Sequence, residues 1–352
     1  MFTRRPQVEL LETRDLPSAG GFLSNAVFVQ PGQSIQAAVD AATVGESIFI
    51  EPGVYQQTVV VNKPDIHLIG LPGRGGVVIA NPGDAGDGIL VTSNGTGFDL
   101  ENLTVRGFDE NGVSLQGVSG FQLARVTAVN DGEYGLFPVL SAHGVIVDCA
   151  ASGHRDTGIY VGQSFDVAIV GCRTFDNVNG IEVENSSAVR VLNNDTFHNT
   201  AGILIDLLPG LQITTASHNL VSGNRVRDNN HANFGDPGQI ESFVPSGTGI
   251  LVLGTDHTTV TGNVITGNQF VGIAVASTTL LGQLAGLPPD AFAGIDPNPQ
   301  SVLIKQNVVV HNGLAPPPAG LPVSADLLWD GSGNDNHWVD NVFQTSFPAP
   351  LP

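Results

Sequence analysis

Basic residues are scarce in this chain: 13 Lys and Arg stand against 33 Asp and Glu, a formal net charge of -20. Phosphate recognition needs Lys and Arg on the contacting face, so nucleic acid is not an expected partner. A polyanionic sugar chain is disfavoured as well, unless a divalent cation lies between. Cysteine is nearly absent, with only Cys149 and Cys172, which excludes a disulfide-stapled scaffold. No run of 18 apolar residues occurs, so no membrane-spanning helix is expected. Charged residues make up only 13% of the chain and hydrophobic ones 41%, a balance that disordered chains do not have. What is abundant is glycine, at 44 residues, and its placement is periodic.

A Gly followed by an aliphatic residue recurs at Gly88, Gly112, Gly135, Gly158, Gly180 and Gly202, at steps of 24, 23, 23, 22 and 22. It returns at Gly249 and Gly272. Apolar residues alternate after each Gly, as in Ile181 and Val183 against Glu182 and Glu184, and a period of two means strand. An Asn closes several units, at Asn194, Asn224, Asn263 and Asn307. A repeat of this length with two or more short strands and tight corners predicts stacked coils. The fold class expected is all-β: a right-handed, single-stranded parallel β-helix of about 10–11 coils. Gly is expected to supply a φ > 0 corner before each strand, and the recurrent Asn an inward hydrogen-bond ladder. Cys149 and Cys172 hold matching places one coil apart and are expected as free, stacked thiols. Residues 34–42 read as a helix with Ser34 as N-cap, laid over the first coil. Residues 26–352 are read as one β-helix domain and 1–25 as a disordered or removed segment.

Three resemblances bear on this reading. Val8-Glu9-Leu10-Leu11-Glu12-Thr13-Arg14-Asp15-Leu16-Pro17-Ser18-Ala19 resembles a segment at the start of some bacterial surface proteins, which implies export to the cell surface or beyond. "SIFIEPGVY" followed by "TVVVNKPDIHLIG" resembles the opening of secreted β-helix proteins related to pectin-modifying enzymes. "GEYGLFPV", "DTGIYVGQS", "NGIEVENS", "GILIDLLPGL" and "VPSGTGILVL" resemble exported bacterial parallel β-helix repeat proteins, a family that implies fold and export but no settled activity. The catalytic signatures of polygalacturonase-like hydrolases are absent. His154-Arg155-Asp156 only partly matches the Asp-Pro-His-Asp of mannuronan epimerases.

Spacing locates three insertions, around Leu207–Ser217, Asn230–Gly247 and Ser277–Gln300. They are expected to wall a groove over the Gly-Ile sheet. On that sheet the register places Glu182, Glu184 and Asp206 together on the outward face beside Tyr160 and Phe137. Carboxylates suit acid–base chemistry and aromatic faces suit sugar rings. Asp131, His154, Asp176 and His198 stand four before successive Gly residues and are expected to stack as one column, flanked by Arg155, Asp156 and Tyr134.

The expected function is therefore that of an exported, carbohydrate-active protein: a lyase, hydrolase or epimerase acting on a polysaccharide. Glu182, Glu184, Asp206, Arg155 and His154 would be catalytic, and Phe137, Tyr160, Tyr134 and His198 would bind substrate. Calcium is the cation that oxygen ligands select, with Glu184, Asp206, Asp156 and Asp176 as its set. The rival expectation is a non-catalytic carbohydrate-binding or structural module. A monomer is expected.

Overall fold

In the computed structural model, residues 26–321 and 323–352 are described, and the expected leader segment 1–25 lies outside them. The chain winds into three parallel sheets of 12, 11 and 11 strands, each strand hydrogen-bonded to its equivalents one coil before and after. This is a right-handed parallel β-helix. Strands begin at Val27 and the last one ends at Phe347. The short helix Ile35–Ala41 carries the expected Ser34 cap, whose hydroxyl accepts from Ala37 N at 3.1 Å. Its C-terminal end is closed by Lys63, whose Nζ donates to the carbonyls of Val39, Asp40 and Ala42. A cation set against the negative end of the helix dipole, satisfying orphan carbonyls, explains why one of only two lysines stands here.

The interior is a stack of like on like. Ile159, Ile181, Ile203, Ile250 and Ile273 form one fully buried column, and Val161, Val183, Ile205, Val252 and Val275 the next. Each such column removes apolar surface from water continuously along the axis. Three polar ladders close the corners. Asn194, Asn224, Asn263 and Asn307 accept from one another's backbone N–H through Oδ1 and donate through Nδ2 to carbonyls inside the coil. Cys149 and Cys172 continue this ladder as buried free thiols, with Val126 N donating to Cys149 Sγ. Ser141, Ser164 and Ser186 form a second ladder.

The third ladder corrects the expected alternating column. Asp131 accepts from Phe108 N, and His154 Nδ1 lies 3.1 Å from the Asp131 carbonyl. His154 N in turn donates to Asn177, and Asn177 N to Asn199. The equivalents of Asp131 and His154 are thus Asn177 and Asn199, not Asp176 and His198. The coils that end at Gly180 and Gly202 are one residue shorter, and that residue is lost between ladder and glycine. Asp176 and His198 fall instead at exposed corner positions in the left-handed region, both at φ 58°.

The recurrent glycine also has a different cause from the one expected. Gly180 is not at positive φ. A Cβ there would stand 2.6 Å from the Gly202 carbonyl oxygen and 2.7 Å from Thr174 Oγ1. The strand turns at this point so that Gly180 and Ile181 both face inward, and the first has no room for a side chain.

Candidate functional site: a carboxyl cluster under an aromatic shelf

The outward columns of the Gly-Ile sheet follow the expected register. Phe137 lies beside Ser114, Tyr160 beside Glu182, Glu182 beside Leu204, and Glu184 between Gly162 and Asp206. The glycine corner adds a third column. Because the strand bends at Gly, the residue just before it swings to the outer face, bringing Tyr134, Thr157 and Asn179 onto it. Tyr134, Phe137 and Tyr160 then form one aromatic cluster, with ring centroids 4.4 Å (Tyr134–Phe137), 4.9 Å (Tyr134–Tyr160) and 4.9 Å (Phe137–Tyr160) apart. Tyr134 and Phe137 are half-buried, whereas Tyr160 is buried. This offers a shelf for an apolar ring face.

Under the shelf lie Asp156, Glu182, Glu184 and Asp206. Tyr160 donates to Glu184 Oε2. Thr157 Oγ1 is 2.9 Å from Asp156 Oδ1 and 2.5 Å from Glu182 Oε2, and Asn179 Nδ2 reaches the same Glu182 oxygen at 3.3 Å. One hydroxyl carries one hydrogen. If Thr157 donates to Asp156, its contact with Glu182 needs a proton on Glu182. Burial pushes that carboxyl well above its ordinary range, and the charges of Asp206, Asp156 and Glu184 push it further. Asp206 is also raised well above its usual value, first by burial and then by Glu184 and Asp156. It is 1% exposed, and neither of its carboxyl oxygens has a hydrogen-bond partner among the described residues. Such an orphan is costly.

The two half-buried carboxyls behave differently. Glu184 is raised to about 7 by burial, partly offset by the Tyr160 hydrogen bond. Asp156 is raised to about 6, again chiefly by burial, with hydrogen bonds from Tyr134 and Thr157 opposing. A fifth member comes from the second insertion. Glu241, in the short helical turn Ile240–Phe243, is buried at 8% exposure and raised to about 7 by burial and by the charge of Asp156. Asn233 Nδ2 ties this turn down through the Glu241 and Val244 carbonyls. Nothing in the sequence marks Glu241, because its loop has no repeat to give it a register.

The remaining expected residues lie elsewhere. Arg155 is exposed at the rim, where Nε donates to the Gly132 carbonyl and Nη1 lies 3.6 Å from Asp236 of the second insertion. His154 is inside the coil at 0% exposure, and burial lowers it to about 4, so it is neutral. Asp176 and His198 line a shallow surface cleft with Asp228, Asn230 and His231. Among the described residues no group of three or more His, Cys, Asp or Glu side chains is arranged to hold a metal ion.

The insertions, expected to wall a groove, build an apolar cover. Beyond Asp206 the outward columns become Leu251, Ala274 and Leu328, and Leu253 and Ala276. The loops pack on these to build a second apolar core outside the coil, joined by Val244, Phe270, Leu281 and Leu321. The carboxyl cluster and the aromatics lie on the coils before it.

The parallel β-helix fold is shared with solved epimerase and lyase structures. The fold matches the A-module of Azotobacter vinelandii mannuronan C-5 epimerase AlgE4 at a TM-score of 0.62 and 15% identity, over 88% of this chain and 90% of that one. The periplasmic alginate epimerase AlgG matches at 0.53 and 14% identity, over 91% and 83%. Pectate lyase Pel9A matches at 0.51 and 15% identity, over 91% and 78%. No curated protein sequence matches the chain significantly. Residues 85–281 match the family described as periplasmic copper-binding protein (NosD), and the chain belongs to that family.

Proposed function

We propose that the protein works outside the cytoplasm on a polysaccharide laid across Tyr134, Phe137 and Tyr160, and cleaves it by acid–base chemistry. The observation that carries this reading is the geometry: Glu184, bonded by Tyr160, and Asp156, bonded by Thr157, stand half-buried beside that shelf, and burial raises both. Burial raises both carboxyls, so the coupled pair retains a proton to higher pH than free carboxylates do, and one protonated and one ionised carboxyl are what an acid and a base need. Glu184 would protonate the bridging oxygen as its bond to the sugar carbon breaks. Asp156 would take a proton from the water whose oxygen joins that carbon. Glu182, protonated and bonded to Thr157, would orient Asp156 through that hydroxyl. Among the described residues the cation at the rim, Arg155, is engaged by Asp236 at 3.6 Å. That supports a neutral glycan and hydrolysis over the lyase and epimerase alternatives.

The family description raises copper. Copper selects imidazole, thiolate and thioether donors. The only Met is Met1, outside the described residues. Cys149 and Cys172 are spent in an interior ladder, and the carboxyl cluster contains neither His nor Cys. His198 and His231 share the shallow cleft, and the His218 and His257 ring centroids are 4.8 Å apart, but among the described residues no group of three or more His, Cys, Asp or Glu side chains is arranged to hold an ion, so these residues do not fit copper. For calcium, Glu184, Asp206 and Asp156 remain the candidate oxygen donors, and Asp176 lies apart at its exposed corner. Protons fill the cluster in the reading proposed here.

A panel of neutral and acidic polysaccharides, with and without calcium, tests this by release of reducing and unsaturated ends. Glu184→Gln should lower cleavage at least about a hundredfold. Unsaturated ends from a uronate polymer would sink the hydrolytic assignment. Binding with no cleavage of any member would leave the non-catalytic module. A calcium-dependent rise in melting temperature that Asp206→Asn abolishes would mean that a cation, not a proton, fills the cluster.

A further inference from the structure

The second apolar core is not filled. Between the outer face of the sheet and the loops lies a cavity of about 150 Å³, lined by Leu251, Leu253, Ala274, Ala276, Leu281 and Leu328, with Phe270, Leu284 and Leu321 closing it. The space has an identifiable origin. Along the two outward columns the wall is leucine at Leu204, Leu251 and Leu328 and at Leu253, but the strand Val271–Ala276 places Ala274 and Ala276 there instead. Two adjacent positions on one strand thus withhold side-chain volume beneath the helix Thr278–Leu284. The one polar group at the wall is Asp330. Its Oδ2 already accepts from Ser277 N at 2.8 Å and its Oδ1 from Ser332 N at 2.9 Å. A ligand therefore finds no vacant backbone donor there. Phe347, 42% exposed, stands at the rim and marks the way in.

Protein interiors close such gaps unless something holds them open, because every lining atom loses its dispersion partner. An enclosed cavity of about 150 Å³ engineered among Leu, Ile and Phe side chains stays dry and binds benzene, and this one has a similar volume and an apolar wall but opens at the Phe347 rim. We propose that this cavity is a binding site for a small apolar group, ring-sized or a short alkyl chain. Its nearest wall, Leu253, stands two coils along the sheet from Glu184, roughly 10 Å, and next to Asp206. It does not depend on the reading of the carboxyl cluster. The same chemistry reaches it either as a free molecule or as an alkyl substituent carried on a sugar.

Benzene is the probe, read by thermal unfolding and by chemical-shift changes of the leucine and alanine methyls. Near-saturating benzene should raise the melting temperature of the wild type by at least about 2 °C and shift the methyls of Ala274, Ala276 and Leu251. Ala276→Leu and Ala274→Leu each fill the space. Both should fold with an unchanged or higher melting temperature and lose the benzene response. Hexyl glucoside, compared with glucose, separates the two sources: a response to it that Ala276→Leu removes means that the pocket accepts an alkyl group on a sugar, and a response to benzene alone means a free molecule. No benzene response in the wild type, or an undiminished response in both filled variants, overturns the proposal. Should one variant fail to fold, the other still decides.

Discussion

The outer face of the Gly-Ile sheet is two surfaces made from one repeat. From Phe137 to Asp206 its columns carry aromatics and carboxyls; from Leu251 to Leu328 they carry only aliphatic residues. Inside the coil nothing changes at that boundary: the Ile and Val columns and the Asn ladders run straight through. The interior sets the fold and is uniform, whereas the exterior is free to differ coil by coil. Over the later coils the face is apolar beneath the loops, and over the earlier coils it holds the aromatics and carboxyls. The buried carboxyls sit at the seam, with Asp206 directly beside Leu253. A group there is desolvated by the apolar half and charged by the polar half, and both effects raise its pKa.

The comparison can be broken most forcibly by exchanging characters. Leu251→Asp puts an unpaired carboxylate beneath the loops and should cost about 3–5 kcal/mol, the usual penalty for an uncompensated buried charge. Urea unfolding measures it, and a loss under about 1 kcal/mol would mean that the covered half opens readily to water. The uniform interior gives a smaller effect. Asn263→Ala removes the acceptor of Asn224 N and leaves buried groups unpaired, so a loss of about 1–3 kcal/mol is expected. Asn194→Ala, in the coil beneath the polar half, should lose a similar amount. A clear inequality would show that the ladder senses which half it lies under.

Of the two surfaces only the polar half carries a pH dependence, to which Asp131 of the interior ladder, raised to about 8 by burial, adds a slope of the same sign. Glu184, Asp156 and Glu241 have folded values above their unfolded ones. The folded state therefore binds protons more tightly. Its advantage is full below about pH 4 and fades as pH rises through about 6–7. Stability should fall between pH 5 and pH 8, and Glu184→Gln should flatten part of that slope, whereas Ala276→Leu in the apolar half should not touch it. Smallest of all is Tyr160→Phe. The Tyr160 hydrogen bond holds Glu184 down, so its loss should move the acidic group controlling any cleavage to higher pH, with a stability change of about 1 kcal/mol. A profile shifted to lower pH would contradict the assignment of Glu184.

The interior and its register were legible because period two and a repeat of 22–24 residues are both read directly from residue order. That is why Glu182, Glu184, Asp206, Tyr160 and Phe137 meet where spacing puts them. Thr157 and Asn179 were not legible. Simple alternation assigns them inward, and only the close approach of Gly180 to the Gly202 carbonyl reveals the bend that turns them out. Asp176 and His198 were misplaced for a related reason: a coil shorter by one residue shifts the ladder onto Asn177 and Asn199. Glu241 and the apolar cover lie in insertions, where no neighbour repeats the pattern and tertiary packing alone decides position.

The Asn ladder has a consequence for how such a chain can change length. Asn194, Asn224, Asn263 and Asn307 are 30, 39 and 44 residues apart in sequence, yet each meets the next through the same pair of bonds. The ladder counts turns, not residues. A lineage can therefore lengthen any outer loop without disturbing the stack, and can duplicate or delete a full turn at the cost of one rung. What it cannot do cheaply is lose part of a turn, since every rung above would then face the wrong partner. Growth in whole turns inside and free variation outside is a ratchet: the scaffold keeps its gauge while its surface explores.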